Sequence, residues 1–197
     1  MDDGIMELAN AASMLLPAAT LARLAYVREP EWPQQHLLLL AVCAHLPVSV
    51  AYHLSVALLG RDRLDNDLRR LDQTMQHVAI VVFACALSGG SLLYTAFVAG
   101  VGWPSMLQLW LAGTTTTTRS EGWRPIFVGM LLYMLPMSRH PLGWIALGTA
   151  VVGGSAAFTI PRLSARDGGP GSVILHTVMA AHVATLWVWL TLDLRSE

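Results

Sequence analysis

Seven long apolar runs dominate the chain, and short segments rich in charge, proline or glycine separate them. The hydrocarbon core of a bilayer is about 30 Å thick and a helix rises about 1.5 Å per residue, so about 20 mostly apolar residues can cross it. The runs cover residues 5–27, 35–60, 68–87, 91–112, 123–137, 143–160 and 172–192. The sequence therefore predicts an all-α, polytopic membrane helical bundle with seven transmembrane helices, forming a single domain over residues 1–197.

The composition agrees with a membrane environment and argues against a soluble domain. Hydrophobic residues make up 54% of the chain and charged residues only 13%, whereas about a quarter of an average soluble domain is charged. The 12 basic residues are all Arg, and the 13 acidic residues leave a net charge of -1. Phosphate binding needs a basic surplus, so we expect no nucleic-acid partner. The first run lacks a basic leader and a cleavage site, so we expect it to be retained.

The centre of the chain leaves the number of spans open. The fourth run contains Pro104, which can kink or split a helix, and the fifth run is short for a span. Between them, residues 113–122 include five consecutive β-branched threonines and are predicted to form a loop. Ser88-Gly89-Gly90 predicts a tight link between the third and fourth runs. The sixth run is rich in Gly and Ala, which lets helices approach closely in lipid. Six helices remain an alternative to seven.

Arginine is distributed unequally between the two sides of a seven-span bundle. The positive-inside rule counts basic residues in short loops and discounts acidic ones. The second, fourth and sixth loops and their flanks hold eight of the Arg residues, and the other loops and flanks hold four. The N-terminus and the second loop share a side because two spans separate them. We therefore expect a cytosolic N-terminus and a C-terminus on the opposite side.

Polar residues inside the predicted spans gather at one membrane face. Helix two carries His45, Ser49 and His53 at intervals of four residues, which places them along one side of the helix. Asp72 lies near the start of helix three and His176 near the start of the last helix. An ionisable group at the centre of a span costs about 2.5 to 3.5 kcal/mol, so each one calls for a reason. Because consecutive spans alternate in direction, His53, Asp72 and His176 are predicted to converge.

Convergent imidazoles beside a carboxylate are typical of a catalytic zinc site. Neutral His is a common zinc ligand, and catalytic zinc takes three protein ligands and a water molecule whose pKa falls to about 7. A nearby carboxylate can accept the proton of that water, and the hydroxide can attack an ester or amide. The simpler interpretations are that a single His near the end of a span is an interfacial residue, and that Ser49 is a hydrogen-bond donor between helices.

The segments Ser49-Val-Ala-Tyr52-His53 and Arg70-Leu71-Asp72-Gln73 resemble the Ser-x-x-Tyr-His and Arg-x-Asp segments of hemolysin III and adipoQ-type proteins. These belong to the CREST membrane-hydrolase superfamily, which also includes alkaline ceramidases and progestin receptors. The resemblance covers the spacing of the whole chain. It implies a zinc ion held by the His of helix two and by a His-x3-His motif on the last helix, with the Ser and the Asp beside the metal.

The last helix departs from that motif. The residue four positions after His176 is Ala180, and the next histidine, His182, lies about 120° away from His176 around a helix of about 100° per residue. Three alternatives could supply the missing ligand: a distortion that turns His182 inward, His77 on helix three, or His45 one level deeper. The candidate catalytic residues are Asp72 and Ser49, and the candidate zinc ligands are His53, His176 and His182.

Three classes of function follow from these observations. The first is a zinc-dependent membrane hydrolase that acts on a lipid amide or ester, and the resemblance implies a ceramide-like substrate. The second is a non-catalytic receptor, scaffold or membrane-remodelling protein on the same fold. The third, a transporter or channel, calls for polar residues spread through the depth of several helices. Here they crowd at one level, which favours the first two classes.

Overall fold

The computed structural model describes residues 3–61, 66–111, 123–155 and 170–193, and their regular structure is entirely helical. The all-α prediction is therefore confirmed for this part of the chain. A 3-10 turn, Leu135–Met137, follows the helix that ends at Met134. The helices are α1 (Asp3–Ser13), α2 (Leu15–Val27), α3 (Pro33–Leu59), α4 (Asp67–Leu87), α5 (Leu92–Leu111), α6 (Trp123–Met134), α7 (Pro141–Gly154) and α8 (Gly171–Asp193).

Four helical segments in the described residues are long and apolar enough to cross a membrane. They are Gly4–Val27, which joins α1 and α2, and helices α3, α5 and α8. Helices α6 and α7 are apolar but shorter, and α4 begins with several charged residues. Large apolar side chains cover much of the outer surface, as Leu92 and Leu93 show with exposures of 81% and 85%. Such a surface suits an integral membrane protein.

The first predicted run forms two helices that meet at Met14. Met14 keeps helical backbone angles and its N–H still bonds to the carbonyl of Asn10. Pro17 follows three residues later and has no N–H to donate to the carbonyl of Ser13, so the regular ladder is interrupted there. The interruption frees the end of α1 to pack separately from α2. The predicted run over 5–27 therefore corresponds to one candidate span, Gly4–Val27, with a break at Met14.

Local side chains fix both ends of the connection between α3 and α4. Gly60 ends α3 with a φ of 61°, a left-handed conformation that suits glycine. Asn66 begins α4, and its side chain accepts a hydrogen bond from the N–H of Leu68 at 2.9 Å. The amide of Asn66 also donates to the hydroxyl of Ser55 at 3.0 Å. This contact joins the end of α3 to the start of α4.

The centre of the chain agrees with the predicted elements within a few residues. The tight link over 88–90 is confirmed, and Gly89 and Gly90 both have positive φ. Pro104 lies inside α5 without splitting it. Helix α7, which corresponds to the sixth predicted run, begins at Pro141, earlier than predicted, because the side chain of His140 caps it by accepting from the N–H of Leu142. The predicted loop over 113–122 and most of the connection over 161–171 lie outside the described residues.

Helix α1 lies against both α3 and α8, and α4 packs on α3, α5 and α6. Helices α7 and α8 approach closely at Gly153, where an added Cβ would lie 2.9 Å from a methyl group of Leu175. The expected close approach of the Gly-rich helix is therefore found. This packing brings the polar residues of four helices together in an otherwise apolar interior.

Candidate functional site

A cluster of polar side chains lies where α1, α3, α4 and α8 meet. The predicted members are His45, Ser49, His53, Asp72 and His176, and most of the cluster is buried or nearly so. Four further members come from α1 and α4. They are Glu7, Asn10, Ser13 and Gln76.

Asp72 is the centre of the α3–α4 half of the cluster. Its Oδ1 accepts a hydrogen bond from Nε2–H of His45 at 2.9 Å, and its Oδ2 accepts one from the amide of Gln76 at 3.0 Å. The hydroxyl of Ser49 also hydrogen-bonds this carboxylate. Asp72 is only 6% exposed, so these donors replace the water that an ionised carboxylate needs. His45 and Ser49 reach it together because they lie one helical turn apart.

His53 forms the other carboxylate contact, with a residue of α1. Its Nδ1 lies 2.6 Å from Oε2 of Glu7, and Nδ1–H donates to that oxygen because a carboxylate can only accept. The amide of Asn10 donates to the same oxygen at 3.3 Å. Oδ1 of Asn10 is a buried acceptor without a partner among the described residues, and such an atom calls for a donor. A bound water or a polar ligand group would satisfy it.

His176 contacts the opposite end of α1. Its Nδ1 lies 2.8 Å from Oγ of Ser13, and that hydroxyl also lies 2.8 Å from the carbonyl of Asn10. The single hydroxyl proton of Ser13 goes to the carbonyl, so Oγ accepts from Nδ1–H of His176. We assign this tautomer from the hydrogen-bond pattern. The other ring nitrogen, Nε2, then carries the lone pair.

His53 and His176 form an adjacent pair with matching tautomers. Their ring centroids are 6.1 Å apart and their planes are inclined by 74°. Each ring uses Nδ1 for a contact with α1, which leaves both Nε2 lone pairs for another ligand. A metal-bound histidine usually donates its second N–H to a carboxylate, a carbonyl or a similar acceptor. Both residues thus fit the role of zinc ligands.

A third protein ligand is not assembled beside this pair. No group of three His, Cys, Asp or Glu residues is placed to hold a metal ion in the part of the chain that the structure describes. His45 comes nearest to the role, since it lies in the cluster, but it is paired with Asp72. The pair therefore supplies two of the three protein ligands that catalytic zinc takes.

The structure places His182 away from the cluster. Nε2 of His182 accepts from the hydroxyl of Tyr133 at 2.6 Å, and Nδ1 lies 3.1 Å from the carbonyl of Ala146 and 2.9 Å from the hydroxyl of Thr149. Its side chain is fully buried and faces α6 and α7. Both ring nitrogens are occupied, so the described geometry gives His182 a structural role in joining three helices.

His77 is also separate from the candidate pair. It is 3% exposed and lines a second, apolar cavity between α4, α5 and α6. A Cβ added at Gly102 would lie 3.2 Å from its Nδ1, so the ring sits against the backbone of α5. Of the three alternatives for a third ligand, only His45 lies in the same cluster as His53 and His176.

An apolar cavity of about 160 Å³ adjoins the polar cluster. Its walls come mainly from apolar residues of α3, α4, α6 and α8, including Phe83 and Met179. Three polar cluster residues, His45, Gln76 and His176, line it as well. The cavity therefore offers an apolar chamber with imidazole and amide groups in its wall, an arrangement typical of sites that hold a mostly apolar ligand by a few polar groups.

The contribution of α1 to the cluster was not predicted from the sequence. Glu7, Asn10 and Ser13 are spaced by three residues within an otherwise apolar helix, so they form a polar strip on one side. Glu7 is 4% exposed, although it lies close to the beginning of the first apolar run. The signal available in the sequence was an acidic residue inside an apolar run, followed by Asn10 and Ser13 at intervals of three residues.

No family model, curated protein or solved structure matches this chain. The chemistry of the site itself therefore carries the functional argument. It consists of two imidazoles with lone pairs to donate, a buried carboxylate held by three donors, and an apolar cavity beside them.

Proposed function

We propose that this protein is a membrane hydrolase that cleaves an amide or ester bond of a lipid at the cluster around His53, Asp72 and His176. One observation carries the proposal: His45, Gln76 and His176 lie both in the polar cluster and in the wall of the apolar cavity. A lipid whose chain lies in the cavity would present its first polar group to these side chains. Amides and esters have their polar group at that position.

Zinc is the metal that we propose for this site. His53 and His176 would hold it through Nε2, since Nδ1 of each ring already donates to α1. The chemistry that zinc supplies when bound is a water molecule with a pKa of about 7 and polarisation of a carbonyl group. His45 is the only other histidine of the cluster among the described residues, but its Nε2 is paired with Asp72, and we propose that it moves a proton and does not bind the metal.

Asp72 and His45 form a pair suited to moving a proton. Asp72 holds Nε2–H of His45, so the other nitrogen, Nδ1, carries a lone pair that can take a proton from a water molecule. The negative charge of Asp72 would then stabilise the imidazolium that forms. Ser49 and Gln76 keep the carboxylate in place by donating to it. Asp72 thus acts through His45 or directly on water, and both routes need its charge.

The resemblance to the superfamily that includes alkaline ceramidases leads us to propose a ceramide-like amide as the first substrate to test. Purified protein should contain about one zinc per chain and release fatty acid from such a lipid. Metal analysis and mass spectrometry of the released acid measure both quantities on one preparation. Protein that contains zinc but releases no acid from lipid amides or esters would refute hydrolysis and leave the metal site standing.

A non-catalytic receptor, scaffold or membrane-remodelling protein is the second candidate. Ala180 stands where the resemblance implies a zinc-binding His, and His182 is held by Tyr133, Thr149 and the backbone. A protein that has lost hydrolysis would keep the cavity and bind a lipid without turning it over. Stoichiometric lipid binding with no released acid over long incubation would favour this candidate.

We further propose that the chain crosses the membrane seven times with a cytosolic N-terminus. Seven apolar segments and the excess of Arg in the even-numbered loops support this topology. Reporter tags at the N-terminus and within residues 61–66 should lie on the cytosolic side, and a C-terminal tag on the other. Both termini on one side would refute the seven-span arrangement.

A further inference from the structure

We infer that Glu7 and Ser13 are positioning residues that hold the imidazoles of His53 and His176 in the tautomer that leaves both Nε2 lone pairs for a metal ion. The inference rests on the proposed function, because it names the residues that prepare its metal site. Helix α1 touches both α3 and α8, which carry the two histidines. It is therefore the element through which the two rings can be oriented together.

The two contacts are equivalent in chemistry although the residues differ. Glu7 accepts from Nδ1–H of His53 at 2.6 Å, and the hydroxyl of Ser13 accepts from Nδ1–H of His176 at 2.8 Å. In both cases an acceptor on α1 selects the tautomer whose free lone pair is on Nε2. Without these acceptors a neutral imidazole could carry its proton on either nitrogen and rotate about its side-chain bonds.

The acceptors on α1 are themselves held in place by Asn10, which lies between them along the helix. Its side-chain amide donates to the carboxylate of Glu7 at 3.3 Å, and its backbone carbonyl accepts from the hydroxyl of Ser13 at 2.8 Å. The spacing of three residues puts all three side chains on one side of α1. A rotation or shift of α1 would therefore move both acceptors and both imidazoles together.

The contact between Glu7 and His53 is buried. Glu7 is 4% exposed and His53 is 8% exposed, so neither can rely on water. The N–H of His53 and the amide of Asn10 both donate to this carboxylate, which offsets the cost of burying its charge. The charge of Glu7 also makes the imidazole a stronger electron donor to a metal.

Zinc affinity of variants tests the inference in the absence of substrate. Glu7→Met keeps the length of the side chain and removes the acceptor, whereas Glu7→Gln keeps an acceptor oxygen and removes the charge. We expect Glu7→Met to weaken zinc binding about 10- to 100-fold and Ser13→Ala to weaken it about 10-fold. Glu7→Gln should fall between Glu7→Met and the parent protein. Competition with a chelator of known affinity measures each dissociation constant.

Glu31→Gln provides the matched control. Glu31 lies before α3, half of its side chain is exposed, and it pairs with Arg28, so we expect parental zinc affinity. Cobalt(II) in place of zinc gives a second readout, because its visible absorption reports the ligand geometry. We expect the spectrum to change in Glu7→Met and Ser13→Ala but not in Glu31→Gln.

Two results would overturn the inference: parental zinc affinity in both Glu7→Met and Ser13→Ala, or a parent protein that binds no zinc. Ser13→Ala removes a single oxygen atom, so it keeps the test decisive if Glu7→Met fails to fold. A parent protein that binds zinc tightly but hydrolyses nothing would refute the proposed reaction without refuting the positioning role. Equal zinc affinities among variants that remain active would refute the positioning role without refuting the proposed reaction.

Discussion

Nε2 of His45 lies 2.9 Å from Oδ1 of Asp72, and this contact joins the middle of α3 to the first part of α4. The same imidazole lines the apolar cavity, while the carboxylate lies behind it and is held by Gln76 and Ser49. The contact therefore links a buried negative charge to a group that a bound lipid could touch. In this account His45 takes part in the proposed proton transfer and does not bind the metal.

Replacement of His45 distinguishes these two roles. In His45→Gln the side chain can still donate to Asp72 but cannot take a proton from water. We expect hydrolysis to fall about 10²- to 10⁴-fold with the zinc content unchanged. Metal analysis and activity on the same preparation provide the measurement. Loss of zinc in His45→Gln would instead identify His45 as the third protein ligand.

The two candidate zinc ligands that lie in the cluster should behave alike. His53→Ala and His176→Ala should each lower the zinc content steeply, because removal of one ligand leaves the ion weakly held. Ala180→His should tighten zinc binding, since it restores a second imidazole on the same side of α8 as His176. Zinc content per chain measures all three variants. An unchanged content in both alanine variants would place any metal elsewhere.

His182 and Tyr133 should matter for stability and not for the metal. Tyr133→Phe removes the hydroxyl that donates to Nε2 of His182 in a fully buried setting. An unsatisfied buried acceptor costs about 1 to 3 kcal/mol, so the thermal unfolding temperature should fall by a few degrees. Zinc content should stay at the parental level in Tyr133→Phe and His182→Ala. Loss of zinc in His182→Ala would instead indicate that His182 is a zinc ligand.

Filling the cavity should impair lipid binding. Ala79 lines the cavity, and Ala79→Phe places a large ring in the space proposed for the lipid chain. We expect a KM for long-chain lipids raised at least about tenfold with zinc retained, since about 1.4 kcal/mol of lost binding corresponds to a factor of ten. Ala96→Phe is the control, because Ala96 lies on the exposed surface of α5. Equal effects of the two substitutions would argue that the lipid does not use this cavity.

The sequence predicted the helices and much of the cluster because both depend on local patterns. Apolar runs set the helices, and the four-residue spacing of His45, Ser49 and His53 set one side of α3. The surroundings of His182, a candidate third ligand, could not be predicted from the sequence. They depend on how α6 and α7 pack against α8. The break at Met14 and the role of Glu7 also depend on packing, which a single sequence does not reveal.

Fatty-acid release by the parent protein and by Asp72→Asn, measured side by side on lipid amides, tests the central claim most directly. The amide keeps nearly the shape of the carboxylate but loses the charge on which proton transfer depends. We predict release by the parent protein and a loss of at least about 10²-fold in Asp72→Asn, with insertion and monodispersity unchanged. Equal release by the two proteins would contradict a reaction centred on Asp72.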